Sequence, residues 1–165
     1  MGMAAFFVSV APADLDRFRT DSDALLAFLY PDNDEDEPPN TIDVDKAWHG
    51  LHYLLSGSAG VGAPPLGVAI LGGEEIGEEM DFGPARYFAP GLVRQIAAAL
   101  AELDAEQLQQ RYNPQDMEAQ QIYPETIWVR DGGDAFDYLL GYFETLRVYF
   151  TDAAAQGQAI ITWIA

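Results

Sequence analysis

The chain has 165 residues, no cysteine, and 27 Asp and Glu against 8 Lys and Arg, a formal net charge of −19. Disulfides, thiolate zinc sites and a cysteine nucleophile are excluded, and a field of that sign repels a phosphate backbone, so no nucleic-acid partner is expected. Apolar residues make up 49%, which suits one domain spanning 1–165; no secretion signal and no apolar run of about 18 residues is seen, so no membrane partner is expected and the cytoplasm is the expected location.

Residues Ala4 to Val10 are apolar, aromatic and β-branched, the pattern of a buried strand. Pro12 then opens a helical stretch in which Leu15, Phe18 and the Leu25, Leu26, Phe28, Leu29 set have helical spacing, closed by Tyr30-Pro31. Residues 32–40 hold five carboxylates and two prolines, which self-repulsion and missing amide donors make an exposed acidic loop. Within it Asp32, Asp34 and Asp36 occupy positions 1, 3 and 5 of a calcium-loop pattern, but Glu37 replaces the glycine of position 6 and Asp43 the glutamate of position 12. The pattern describes loose attraction of divalent cations rather than an EF-hand.

From Ile42 to Ser56, Val44, Trp48, Leu51 and Leu55 recur at 4-3-4 spacing, an amphipathic helix that Gly57 stops. A small-residue loop follows to Pro65, then a short apolar element over Leu66 to Leu71 and a second acidic patch from Glu74 to Asp81. Ala85 to Phe88 reads as a short strand, and Pro90 starts a helix running to about Leu103. Asp104 with Gln107 forms a capping-box pattern, Asn113-Pro114 opens another short helix, and the longest helix is expected from Asp134 to Gln156, with Phe136, Leu139, Phe143, Leu146, Phe150 and Ala153 on one face. A last strand covers Gln158 to Ile164. Three or four strands between long helical stretches, without βαβ alternation, define an α+β domain: a small mixed or antiparallel sheet packed with several helices.

Four stretches in order carry a family resemblance: Met1-Gly2-Met3; Asp43-Val44-Asp45-Lys46-Ala47-Trp48 with Leu51-His52 and Leu54-Leu55-Ser56-Gly57; Gly83-Pro84-Ala85-Arg86-Tyr87; and Ile122-Tyr123-Pro124 with Trp128. Together they resemble the YfbM-like family of small bacterial proteins, a domain of unknown function (1877), over nearly the whole chain. The resemblance implies a single α+β domain and brings no reaction and no catalytic residues. One departure is Ala89 before Pro90, where a Ser or Thr N-cap is the family expectation.

The chain has only two histidines, both in the 42–56 helix. At 100° per residue, Asp45, His49, His52 and Ser56 fall within about 60° of one another. Asp45, His49 and His52 therefore have the composition of a two-histidine, one-carboxylate metal set. The same stripe also reads as the polar flank of an amphipathic helix, with His52 at the core boundary donating one hydrogen bond, or as general acid–base machinery. The Gly57–Gly62 run invites a phosphate-cradle reading but follows a helix and has no lysine after it, so a helix stop and loop is preferred. Ser56 and Ser58 stand near the histidines without a nucleophile elbow. Arg86 is expected to pair with a carboxylate or an anionic ligand, and Tyr123-Pro124 with Trp128 to pack a core.

Two functional expectations follow. The first is a binding module without catalysis, its acidic surface engaging a basic protein, for example in an immunity-like role. The second is an enzyme or small-ligand binder with a pocket at His52, Trp48, Arg86, Tyr87 and Tyr123. No cofactor is expected in either.

Overall fold

Chain order sets out the elements of the computed structural model, which describes residues 2–31 and 37–165. They are β1 (Ala5–Val10), α1 (Pro12–Thr20), α2 (Ser22–Leu29), β2 (Thr41–Asp43), a 3-10 turn (Asp45–Ala47) leading into α3 (Trp48–Ser56), a second 3-10 turn (Leu66–Val68), β3 (Glu74–Ile76), β4 (Ala85–Phe88), α4 (Pro90–Ala101), α5 (Ala105–Arg111), α6 (Pro114–Ala119), α7 (Ile127–Ala155) and β5 (Ala159–Ile164). The strands form one antiparallel sheet in the order β2-β1-β5-β4-β3.

Strand alternation sends side chains to two unequal cores. Ala5, Phe7, Phe88 and Ile160 face the larger one, which α3, α4, α5, α6 and α7 complete. Val8, Val10, Tyr87, Ile161 and Trp163 face the smaller one, closed by Leu15 and Phe18 of α1 with Leu25 and Leu29 of α2. The sheet is thus covered by two short helices on one side and a thick helical layer on the other. Phe136, Leu139, Phe143, Leu146, Phe150 and Ala153 are all buried along α7, as their spacing predicts.

Five strands replace the expected three or four. Thr41–Asp43, expected partly within the helix, instead pairs with Phe6, Phe7 and Val8 of β1. Its β-branched Thr41-Ile42 pair suits a strand, and the helix repeat begins only after the Val44 amide has bonded Ala5 O at 3.0 Å. The acidic patch supplies the other addition: Glu74–Ile76 pairs with β4, its two glutamates exposed on a short edge strand. Charge and brevity both discourage further pairing at such an edge. Ile127–Ala155 is two helices joined at a kink: Gly132, with φ 49° and ψ −111°, separates a short leading helix from the long one, which runs on from there close to the expected Asp134. Tyr112 Oη lies 3.0 Å from the Trp128 and Gly132 carbonyls at that kink, supplying polar contact where the ladder is interrupted. Of the expected 32–40 loop, 32–36 lie outside the described residues, together with Asp32, Asp34 and Asp36. Glu37, Pro39 and Asn40 are exposed as expected, whereas Pro38 is buried and its carbonyl accepts from the Thr41 amide at 3.2 Å and hydroxyl at 2.7 Å.

Candidate functional site

The family-like motifs at the amino terminus, at α3 and at 122–128 converge. Met3 is clasped by two side chains: its amide donates to Tyr123 Oη at 2.9 Å and its carbonyl accepts from Trp48 Nε1 at 3.0 Å. The Tyr123 ring stacks on Trp48 at 5.6 Å between centroids, and Trp48 stacks in turn on His49 at 4.9 Å. Trp128 is fully buried beneath, its Nε1 donating to Ile122 O at 2.9 Å. Trp48 and Tyr123 are therefore neighbours of one layer, with His52 one turn on from Trp48 along α3.

Arg86 and Tyr87 belong elsewhere. Being adjacent on β4, they point to opposite sheet faces, and their polar partners lie on β3. Arg86 pairs with Glu75 at 3.2 Å with the glutamate largely exposed. The Tyr87 hydroxyl bonds Glu74, which raises its pKa, and the Arg19 guanidinium lies over its ring at 5.5 Å. Arg86 is thus a surface ion pair, worth little by the usual standard of exposed pairs, and the five expected pocket residues fall in three places: the α3 layer and the two faces of β4.

The two histidines fasten the glycine-rich loop to α3. His49 Nε2 is 3.0 Å from Ala59 O, and His52 Nε2 is 2.6 Å from Gly60 O. A carbonyl only accepts, so each Nε2 carries the proton. His49 Nδ1 then accepts from the Tyr123 amide at 2.9 Å, leaving the neutral ring fully used. His52 Nδ1 is buried without a hydrogen-bond partner. Burial holds both rings below the usual histidine pKa, opposed in each case by the bond to the loop carbonyl. Both nitrogens of His49 are thus committed, while His52 has its Nε2 proton on a carbonyl and its Nδ1 lone pair unused among the described residues.

The same accounting bears on the other motifs. Ser56 Oγ is 3.2 Å from His52 Nε2, but that nitrogen is a donor and cannot take the serine proton; Oγ lies 2.8 Å from His52 O and 3.1 Å from Ser58 O, the acceptors open to it. In the Gly57–Gly62 run, amides that a phosphate would need are occupied: Ser58 N by Ser56 Oγ, Ala59 N by Gln120 Oε1 and Gly62 N by Gly67 O. Gln120 Nε2 passes the connection to Asp116, which also accepts from Tyr53 Oη at 2.7 Å. Burial first, and the Asp116 carboxylate second, push the Tyr53 pKa up to about 12. Asp45 turns away from the histidines: at φ 48° its Oδ2 accepts from Tyr138 Oη at 2.9 Å. Among the described residues, no three His, Asp or Glu side chains come together as a metal site.

Several concave places lie among the described residues, including one of about 340 Å³ at the end of α3 lined by Tyr53, Ser56 and Arg111, and one of about 70 Å³ lined by Arg86, Phe82 and Trp163. A cleft of about 430 Å³ lies next to the Tyr123 layer, lined by Lys46, Pro124, Ile127, Arg130, Asp131, Asp134, Ala135 and Tyr138. Sequence reasoning missed it, although Lys46 is the chain's single lysine and both Lys46 and Pro124 stand inside the quoted motifs. A smaller depression of about 70 Å³ lies between α2 and β3, with Leu25, Leu26, Leu29 and Ile76 beside Asp23, Glu78 and Glu79. Leu26 is 51% exposed and Tyr30, one turn on, 48% exposed.

An open antiparallel sheet with helices of unequal number on its two faces makes this a small single-domain α+β protein. Residues 1–163 match the family described as "Domain of unknown function (DUF1877)", and the chain belongs to that family. A crystal structure of a protein of unknown function, YfbM from Escherichia coli, is similar with a TM-score of 0.78, covering 98% of this chain and 99% of that one at 21% identity. That likeness shows the fold. No curated protein matches.

Proposed function

We propose that this protein is a binding module whose acidic surface engages a basic protein partner in the cytoplasm, with the α2/β3 depression as the docking point. The observation that carries the reading is the composition of that depression: an apolar floor of Leu25, Leu29 and Ile76, a half-exposed Leu26, and a rim of Asp23, Glu78 and Glu79. Such a surface is complementary to a segment presenting one aliphatic anchor flanked by Lys or Arg. The net charge of −19 strengthens long-range attraction to a basic surface. An immunity-like arrangement, in which the acidic domain covers a basic enzyme, is the concrete form. The commitment of both histidine Nε2 protons to loop carbonyls favours binding over catalysis at α3.

The test is capture from native lysate with wild type and with a Leu26→Arg/Glu79→Lys variant, at low and moderately high salt. A basic protein retained by wild type, weakened by salt and lost by the variant supports the proposal. Identical captured proteins on both baits, or a partner insensitive to salt, would sink it.

A further inference from the structure

We propose a second binding site, independent of the α2/β3 surface: the cleft beside Tyr123 takes a small monocarboxylate with a compact apolar body, and Lys46 is its charge partner. The volume of about 430 Å³ lies within the ordinary range for small-molecule sites, roughly 300–1,000 Å³. Its apolar lining is Pro124, Ile127, Ala135 and Tyr138, which suits an apolar ligand body, and the charged side chains beside Lys46 are Arg130, Asp131 and Asp134.

Lys46 is the single lysine of a chain carrying 27 carboxylates, and a cation in that setting ordinarily finds a partner. Arg86, Arg130 and Arg147 have carboxylates, Arg17 and Arg19 lie over aromatic rings, and Arg111 donates to Leu54 O. Among the described residues the side chains of Lys46 and Arg94 have neither an ion pair nor a hydrogen bond, and of these two only Lys46 lines the cleft. The carboxylates on its own segment are engaged instead by other donors: Asp43 Oδ1 accepts from the Asp45 amide at 2.6 Å and Asp45 Oδ2 from Tyr138 Oη. Lys46 lines the cleft with its ammonium lying against Gly2, and an ammonium without a partner side chain is suited to an anion that arrives with the ligand.

The number of donors selects the anion. Arg130, the other cation of the cleft, is held by Asp131 through two bonds of 2.7 and 2.8 Å. One ammonium matches one negative charge, and the −19 field penalises any second, so a monocarboxylate is favoured over a phosphate. The backbone around the cleft is consistent with a built site. Asp45 at φ 48° and Thr126 at φ 76° are left-handed without being glycine, a costly conformation for a β-branched residue. They lie next to Lys46 and Ile127 respectively, so holding them sets the two lining segments.

The experiment is amide NMR of the full chain titrated with isovalerate, benzoate and phenylacetate, each against its neutral amide at matched ionic strength. Saturable shifts confined to residues 45–47 and 124–138 are expected with at least one acid. Its amide should bind at least roughly tenfold more weakly. Lys46→Met, which keeps the apolar stem, should lose the acid's shifts while leaving the rest of the spectrum unchanged, and Lys46→Arg should keep them. Absence of saturable shifts with all three acids overturns the proposal. So does equal binding of acid and amide, or unchanged binding in Lys46→Met.

Discussion

The Tyr123 main-chain amide donates to Nδ1 of His49 over 2.9 Å, and through that bond a turn 74 residues distant in sequence dictates which histidine nitrogen bears the proton. With Nδ1 accepting, Nε2 is left to donate to Ala59 O at 3.0 Å, so the ring ties the 122–124 turn to the glycine loop only while it is neutral. A second proton would have to displace the Tyr123 amide.

A pH dependence follows from that neutrality. His49 and His52 have folded pKa values held below the unfolded value of about 6.5, chiefly by burial. Between the folded and unfolded values the unfolded chain binds more protons than the native one. The histidine contribution to stability is thus present above about pH 6.5 and is lost as pH falls toward the folded values. Carboxylate repulsion acts across the whole molecule, so the useful quantity is the difference in urea midpoint between wild type and His49→Gln/His52→Gln. That difference is expected to shrink between pH 7.5 and pH 5.5. A constant gap would show that the rings do not titrate on unfolding.

At Gly50, α3 packs directly against side chains of α7. A Cβ there would stand 2.5 Å from Trp128 Cη2 and 2.7 Å from Leu139 Cδ2, both on fully buried side chains. Two effects oppose one another. Alanine gains about 1 kcal/mol over glycine in a helix interior, and overpacking a dense core costs about 1–3 kcal/mol. Neither neighbour has solvent to move into, so the clash wins. Gly50→Ala is expected to lower stability by about 1–2 kcal/mol in urea denaturation, and a stabilised variant would mean that the helices part easily.

How much of this was legible depends on the length of the signal. The six buried positions of α7 and the apolar runs of β1 and β5 repeat their period often enough to be read. Thr41–Asp43 and Glu74–Ile76 are three residues each, too short to show alternation, and only pairing with β1 and β4 makes them strands. Of the five residues expected around one pocket, Trp48 and Tyr123 stack with His52 a turn away on α3, whereas Arg86 and Tyr87 lie on β4 with their polar partners on β3. Helical spacing placed Asp45 beside the histidines, but the positive φ of that residue and its bond to Tyr138 turn it the other way. Lys46 was legible as the single lysine; the cleft around it needed Ile127 and Tyr138, whose approach no local pattern announces.

The hydroxyl of Tyr123 holds the start of β1 through the Met3 amide at 2.9 Å. Tyr123→Phe keeps the ring on Trp48 and removes only the acceptor. A net loss of about 0.5–1.5 kcal/mol is expected for one such bond. The change should be visible locally as faster hydrogen exchange at the Met3 amide, with the His49 ring signals unmoved. Shifted His49 signals would instead show that the hydroxyl positions the whole turn.

Ala89 is the N-cap of α4, with φ −63° and ψ 157°, Pro90 after it and no side-chain cap bond. This is the backbone of a cap without its oxygen: an extended residue whose carbonyl already accepts from the Val93 amide at 3.0 Å. Ala89 is exposed, so a hydroxyl meets no packing objection. It would reach one of the first-turn amides that proline at N1 leaves over. Ala89→Ser is therefore expected to stabilise the protein by about 1 kcal/mol, within the 0.5–2 kcal/mol range of N-cap exchanges. Ala89→Val, which cannot cap, should give no gain. Equal midpoints for the serine and valine variants would place the limiting contribution to α4 in its buried Val93, Ile96 and Leu100 face rather than at its end.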